Sequence, residues 1–216
     1  MRFESLFGQC EYDFFVLNLA GFLARQVRAG KKMSEKRQNI VDTAMRLFAQ
    51  FGYQAVGIDR IIAESGVAKM TMYKYFPSKN DLIIEVLAQR EATVAEGLIA
   101  FVNSKSDPLA RVKAVYEWHD GWIHDNSFAG CMFINAATEH AAREARVLEA
   151  ASGQKRRFIA FFEQLLTPIV GEKRAADDAR KLMILLDGAI VAAQVYGNHQ
   201  AAMDAWEIAQ TLIESR

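Results

Sequence analysis

From Ser34 to the end of the chain, apolar side chains recur at intervals of three and four residues. Nowhere do they alternate with polar ones over a useful length. The first period lines one face of an α-helix, whereas alternation would line one face of a strand. The pattern therefore predicts an all-α protein. Ser34 is a capping residue ahead of Ile40, Val41, Ala44, Met45, Leu47, Phe48 and Phe51, which share a face, and Gly52 supplies the stop. Two short helices are expected over about 59–65 and 69–75. Gly66 sits between them, where a tight turn needs a residue that tolerates positive φ. Phe76-Pro77-Ser78 ends the second, and Ser78 caps a long helix running from Lys79 towards Val102. Asp107-Pro108 opens a helix over 108–124, with proline at the first helical position. Residues 125–130 read as a loop, 131–141 and 143–168 as helices with a break at Pro168, and 173–197 and 201–215 as the last two helices.

A chain of 216 residues holds one large domain, or a small one joined to a medium one. Its 51% apolar and 24% charged residues, with only three prolines, fit a globular chain and argue against long disorder. Formal net charge is zero, which neither favours nor excludes nucleic acid, because local charge governs phosphate binding. Two cysteines, Cys10 and Cys131, make no disulfide framework, so a reduced, cytoplasmic setting is the expectation. Residues 14–24 form the one uncharged apolar run, shorter than the ~20 residues a membrane helix needs. Glu4, Glu11 and Asp13 precede it where a signal peptide would be basic, so no membrane association is expected. Residues 1–32 read either as an extra N-terminal helix or as an extension ahead of a native start at Met33. The polar, helix-opening MSEKRQNIVDTA favours the second.

The segment 66–82, GVAKMTMYKYFPSKNDL, holds Lys69, Lys74 and Lys79 and no acid before Asp81. Met72 and Phe76 are four apart and can face the core, which leaves Lys69, Thr71, Tyr73 and Lys74 to point outward. Two short helices joined by a glycine turn and packed on a longer one make a helix-turn-helix, whose second helix enters the major groove. Threonine and lysine suit base edges, and tyrosine hydroxyls and Lys79 suit phosphates. A helix start at Lys79 also offers free N–H groups to phosphate. From composition alone, a solvated helix with surface lysines fits equally well.

Residues 37–87 resemble the N-terminal domain of the TetR family of transcriptional regulators. The resemblance rests on Ala44, Leu47-Phe48, Gly52-Tyr53, Ile61, Ser65-Gly66-Val67, Thr71, Tyr73, Tyr75-Phe76, Ser78-Lys79 and Leu82, in order over about fifty residues. It implies base contacts from Lys69, Thr71, Tyr73 and Lys74, and backbone contacts from Tyr75 and Lys79. Two positions depart from the family's habit. Val56 and Gly57 stand where a hydroxyl pair often caps the second helix, so Gly57 caps without a hydroxyl. Met70 replaces a frequent glycine and can touch a thymine methyl or fill a gap.

The resemblance further implies a helix-turn-helix DNA-binding domain over 33–80 and a larger helical domain over 81–216 that holds an effector pocket and a dimer interface. Leu182, Leu185, Leu186, Ala189, Ile190, Ala193 and Val195, with Trp206, Ile208, Ala209, Leu212 and Ile213, are the expected pairing surface of a homodimer. Alternatively they are monomer core. Large side chains spread over several helices could line a pocket for a small molecule: Trp118, His119, Trp122, Phe128, Met132, Phe133, Phe158, Phe162, Met183 and Tyr196. Asn135, Thr138, His140 and Gln194 could add polarity, though ordinary packing explains any one of these residues as well. Phe128-Ala-Gly-Cys131-Met-Phe-Ile-Asn135-Ala resembles a stretch found in one subset of the family and puts Cys131 at a helix start, where a thiol can sense redox state or electrophiles. His119, His124, Cys131 and His140 match no metal-ligand spacing, so neither metal nor cofactor is expected.

No Walker loop, dinucleotide fingerprint, HExxH, nucleophile elbow or CxxC pair is present. Two functions stay open. One is a ligand-responsive regulator, most simply a repressor, that binds double-stranded operator DNA. The other is an all-helical thiol sensor or enzyme using Cys131 without DNA.

Overall fold

The computed structural model describes residues 34–140 and 144–215. The expected N-terminal extension lies outside the described residues. Nine helices and no strand make up that region: α1 (Glu35–Phe51), α2 (Ile58–Ser65), α3 (Lys69–Tyr75), α4 (Lys79–Asn103), α5 (Pro108–Ile123), α6 (Met132–His140), α7 (Ala145–Val170), α8 (Glu172–Tyr196) and α9 (Ala201–Glu214). The all-α expectation holds.

The helix starts follow their caps. The Ser34 hydroxyl accepts from the Arg37 N–H, Ser78 from the Asp81 N–H and Asp107 from the Ala110 N–H. Gly57 caps α2 in an extended conformation with no side-chain bond, and Gly66 ends that helix at φ 65°. One expectation fails: α7 continues through Pro168 to Val170. Proline's fixed φ is itself helical, so the last turn forgoes one backbone hydrogen bond and persists to Gly171.

The first three helices pack on the N-terminal half of α4. Ile40, Val41, Ala44, Leu47 and Phe48 of α1 are buried with Leu82, Ile83, Val86 and Leu87 of α4. Arg37 pairs with Glu85 at 2.9 Å across that contact and lies over the Phe76 ring. The C-terminal half of α4 packs on α5 and α7, and α8 packs on α7 and α9. One apolar cluster runs from Ile40 to Ile213. Leu182, Leu186, Ala189, Ile190 and Ala193, expected on a pairing surface, are buried within the single chain, as are Trp206, Ala209 and Ile213. Val195 of α8 and Ile208 of α9, also expected there, are exposed, and Ile184, Val191 and Tyr196 of α8 are exposed beside them. No described helix is long and apolar enough to cross a membrane.

Candidate nucleic-acid interface and internal cleft

The short α3 is held by what it buries. Met72 is fully enclosed and Phe76, just past the helix end, nearly so. Each such side chain contributes about 1.5–3 kcal/mol by leaving water. With those two inward, Lys69, Met70, Tyr73 and Lys74 are exposed and Thr71 is half-buried. Met70 is 81% exposed, so it fills no gap in the core. Lys69 lies 3.6 Å from Asp59 of α2, a solvated pair of little energetic weight. The Tyr75 hydroxyl accepts from the Ser34 hydroxyl at 2.7 Å, so α3 is tied to the start of α1. At the α4 start, Ser78 bonds to Asp81, which also pairs with Arg146 at 2.9 Å. These bonds hold the Asp81 carboxyl below the usual carboxylate range. Lys79 is half-buried, and desolvation pulls its ammonium below the usual lysine range while the Glu139 carboxylate opposes that effect.

Glu139 joins this surface to the rest of the molecule. Its carboxylate accepts from the backbone N–H of Tyr53 (3.1 Å) and of Gln54 (2.7 Å), at the turn after α1. Gly52 opens that turn at φ 78°, and a Cβ there would stand 3.1 Å from the Glu139 carboxylate. The Tyr53 ring is fully buried against Phe48 and His140, and its hydroxyl donates to the Met132 carbonyl at 3.0 Å. Burial drives the Tyr53 phenol far above its ordinary range. The turn after α1 is thus bonded to both ends of α6.

The first residues of α6 border a cleft with about 470 Å³ of empty space, part of it open to solvent. Of the residues expected at a pocket, Trp118, His119, Trp122, Met132, Phe133, Phe158 and Met183 line it, together with Cys131. Phe128, Asn135, Thr138, His140, Phe162, Gln194 and Tyr196 stand outside its lining. Phe128 packs against Trp122 outside the lining. The Asn135 side chain accepts from Gln194 at 3.4 Å. His140 packs edge-on against Tyr53. Phe162 is fully buried between Tyr116 and Phe158. Tyr196 is 72% exposed on α8. The sequence reading missed Arg90, Gln154 and Lys155, which also line the cleft. Each falls on an otherwise apolar helical stripe, Arg90 between Leu87 and Val94, and Gln154 between Ala151 and Phe158. A polar residue out of place on such a stripe is the signal that could have found them.

His119 is enclosed by Trp118, Trp122 and Phe158. Burial lowers its pKa to about 4, so it is neutral near pH 7. Its Nδ1 lies 2.7 Å from the Val115 carbonyl, so the neutral ring donates there and leaves Nε2 without a proton. The Lys155 ammonium donates to Asp187 at 2.6 Å and lies 3.8 Å from the buried Cys131 Sγ. Gly130, just before Cys131, has φ 81°, and a Cβ there would fall 2.1 Å from the Gln194 carboxamide. The positive φ favours glycine at that position. His124 lies near His199, away from His119 and His140, so the histidines and Cys131 are not gathered at one place.

Residues 40–86 match the tetR family of bacterial regulatory proteins. Residues 40–86 are thus a TetR-family N-terminal domain. A TetR-family transcriptional regulator from Streptomyces coelicolor shares the fold with a TM-score of 0.77 at 29% identity, over 84% of this chain and 95% of that one. The reduced form of Escherichia coli NemR gives a TM-score of 0.74 at 20% identity, over 82% and 96% of the two chains, which is a likeness of fold alone. Among curated relatives, the uncharacterized HTH-type regulator YxaF of Bacillus subtilis is 34% identical over 37% of this chain and 42% of its own length. The HTH-type transcriptional activator FasR of Mycolicibacterium smegmatis is 29% identical over 50% and 51%. The chain thus spans about half the length, or less, of these curated relatives. The family is one of regulators rather than enzymes, so the thiol-enzyme alternative falls.

Proposed function

We propose that this TetR-family protein is a homodimeric repressor that binds double-stranded operator DNA in the cytoplasm and is released by a small-molecule effector. The observation that carries the DNA reading is the division of α3. Met72 and Phe76 are buried, while Lys69, Met70, Tyr73 and Lys74 face outward with Thr71 at the boundary. An exposed face of that kind can enter a major groove and read base edges. Tyr75 and Lys79 lie at its end, and Gly57 at the α2 start, where phosphates would run.

One such helix reads too few base pairs for operator specificity, which favours two copies. Ile184, Gly188, Val191 and Val195 form a stripe of one helical face on α8, with open space over Gly188. A second copy laid on that stripe would bury it and pair two α3 helices, whose half-sites must lie ~34 Å apart on DNA.

The cleft lined by Trp118, Trp122 and Phe133 is the effector site in this reading. Two elements run from it to the DNA-binding helices: α4, which carries Arg90, and α6, which ends at the Glu139 bonds. An effector preferring a different α4 or α6 position changes the separation of the two α3 helices and lowers operator affinity by its differential affinity for the two states.

The test is a fluorescence-anisotropy titration of DNA upstream of the protein's own gene, at several salt concentrations. Sequence-specific, salt-sensitive binding is expected. Lys74→Ala should alter base preference, whereas Lys79→Ala should weaken all sequences alike and lower the salt slope by about one. Equal scaling of every sequence by both variants would refute the division of roles. A promoter fusion in cells with and without the gene reads the sign of regulation. Higher expression without it is expected.

A further inference from the structure

The cleft is not electrically neutral. Lys155 is matched by Asp187 at 2.6 Å. Glu91, outside the lining of the cleft, is paired with Arg157 through both oxygens, at 2.6 and 2.7 Å. Arg90 is half-buried, and desolvation pulls its guanidinium below the usual arginine range. Among the described residues it has no carboxylate in ion-pair reach. The Trp122 ring lies 6.0 Å away, and Cys131 is close enough to bear on its charge. A partly desolvated cation without a counter-charge carries a cost that a bound anion would offset.

A second, independent feature points the same way. Gln154 is 8% exposed and lines the same cleft, and its carboxamide oxygen is buried with no hydrogen-bond partner among the described residues. Buried amides are nearly always bonded, so this oxygen is an acceptor awaiting a donor. The remaining walls are flat and apolar, chiefly Trp118, Trp122, Phe133 and Phe158.

We propose that the effector is a small aromatic monoanion, its carboxylate set against Arg90 and a hydrogen-bond donor on its body meeting Gln154. This deepens the effector-site reading above and rests on it. A charge-assisted bond to a guanidinium contributes about 1.5–3 kcal/mol, which separates an acid from its amide by at least tenfold.

The test needs no DNA. Isothermal titration calorimetry of the full chain compares 6-hydroxy-2-naphthoate, its carboxamide and 2-naphthoate. The hydroxy acid should bind at least tenfold tighter than the carboxamide, and Arg90→Met should erase that preference. Loss of the hydroxyl should weaken binding about fivefold in the native chain but not in Gln154→Leu, the size of one neutral hydrogen bond. A carboxamide that binds as tightly as the acid overturns the proposal while leaving the cleft an effector site, and it does so without any variant. An acid preference that survives Arg90→Met overturns the assignment to Arg90. Binding of none of the three compounds overturns the proposal too. The operator titration stands apart from all these outcomes, so a failed regulator reading and a failed anion class are told apart.

Discussion

Two residues show how much depends on single atoms here. His119 is a titratable group held neutral by its surroundings. Its folded pKa is about 4, against about 6.5 unfolded, so below pH 6.5 the unfolded chain binds more protons and stability falls with pH. One such group lost between pH 6.5 and 5 is worth about 2 kcal/mol. Urea denaturation at pH 7 and pH 5 should therefore show a larger loss in the native chain than in His119→Gln, by about that amount. Equal losses would mean that the ring is not buried as described. Gly130 is the other case. Its positive φ strains any residue with a Cβ, so a glycine that resembles a family signature by sequence also suits the backbone there.

Among the elements, α6 has the most unusual placement. It is nine residues long, its first residues border the cleft, and Glu139 near its end holds the turn after α1. Glu139→Ala takes the acceptor from the Tyr53 and Gln54 N–H groups, of which only that of Tyr53 is shielded from water, at a cost of about 1 kcal/mol. Operator affinity should fall in that variant even without effector, and Glu139→Gln, which keeps one acceptor, should fall less. Anisotropy titration on the same DNA checks both, and unchanged affinity would rule out α6 as a link. None of this was legible in the chain, because Glu139 and Tyr53 are 86 positions apart and nothing local marks them as partners. Local signals did carry α3. Gly66, Met72, Phe76 and Pro77 define it, and its observed bounds match the reading. The same local logic failed at Pro168, where a breaker residue sits in a turn that tolerates it. It also failed on α8, because a helix apolar on most sides does not declare which face meets its own chain. Leu182 and Leu186 went inward and Ile184 and Val191 outward.

At the scale of the whole molecule, the outward stripe on α8 leads to a prediction about assembly. Ile184 is 70% exposed and Val195 stands on the same face. Paired Ile184→Glu and Val195→Glu should convert dimer to monomer in light scattering at micromolar concentration, with far-UV dichroism unchanged. Operator affinity should drop by at least tenfold, since the second half-site is lost. A dimer that survives both substitutions would place the interface elsewhere. The undivided apolar cluster has a consequence for how the molecule comes apart. It joins Ile40 to Ile213, with the Tyr53 ring set deep in it and bonded to Met132, and α4 belongs equally to both ends. The expected boundary near residue 80 therefore runs through a shared core. Heated in a calorimeter, the helices before and after it should melt as one endotherm, with calorimetric and van't Hoff enthalpies in agreement for each protomer. A fragment ending at residue 80 should not hold its fold, because the surface that α1 needs would have been cut away with α4.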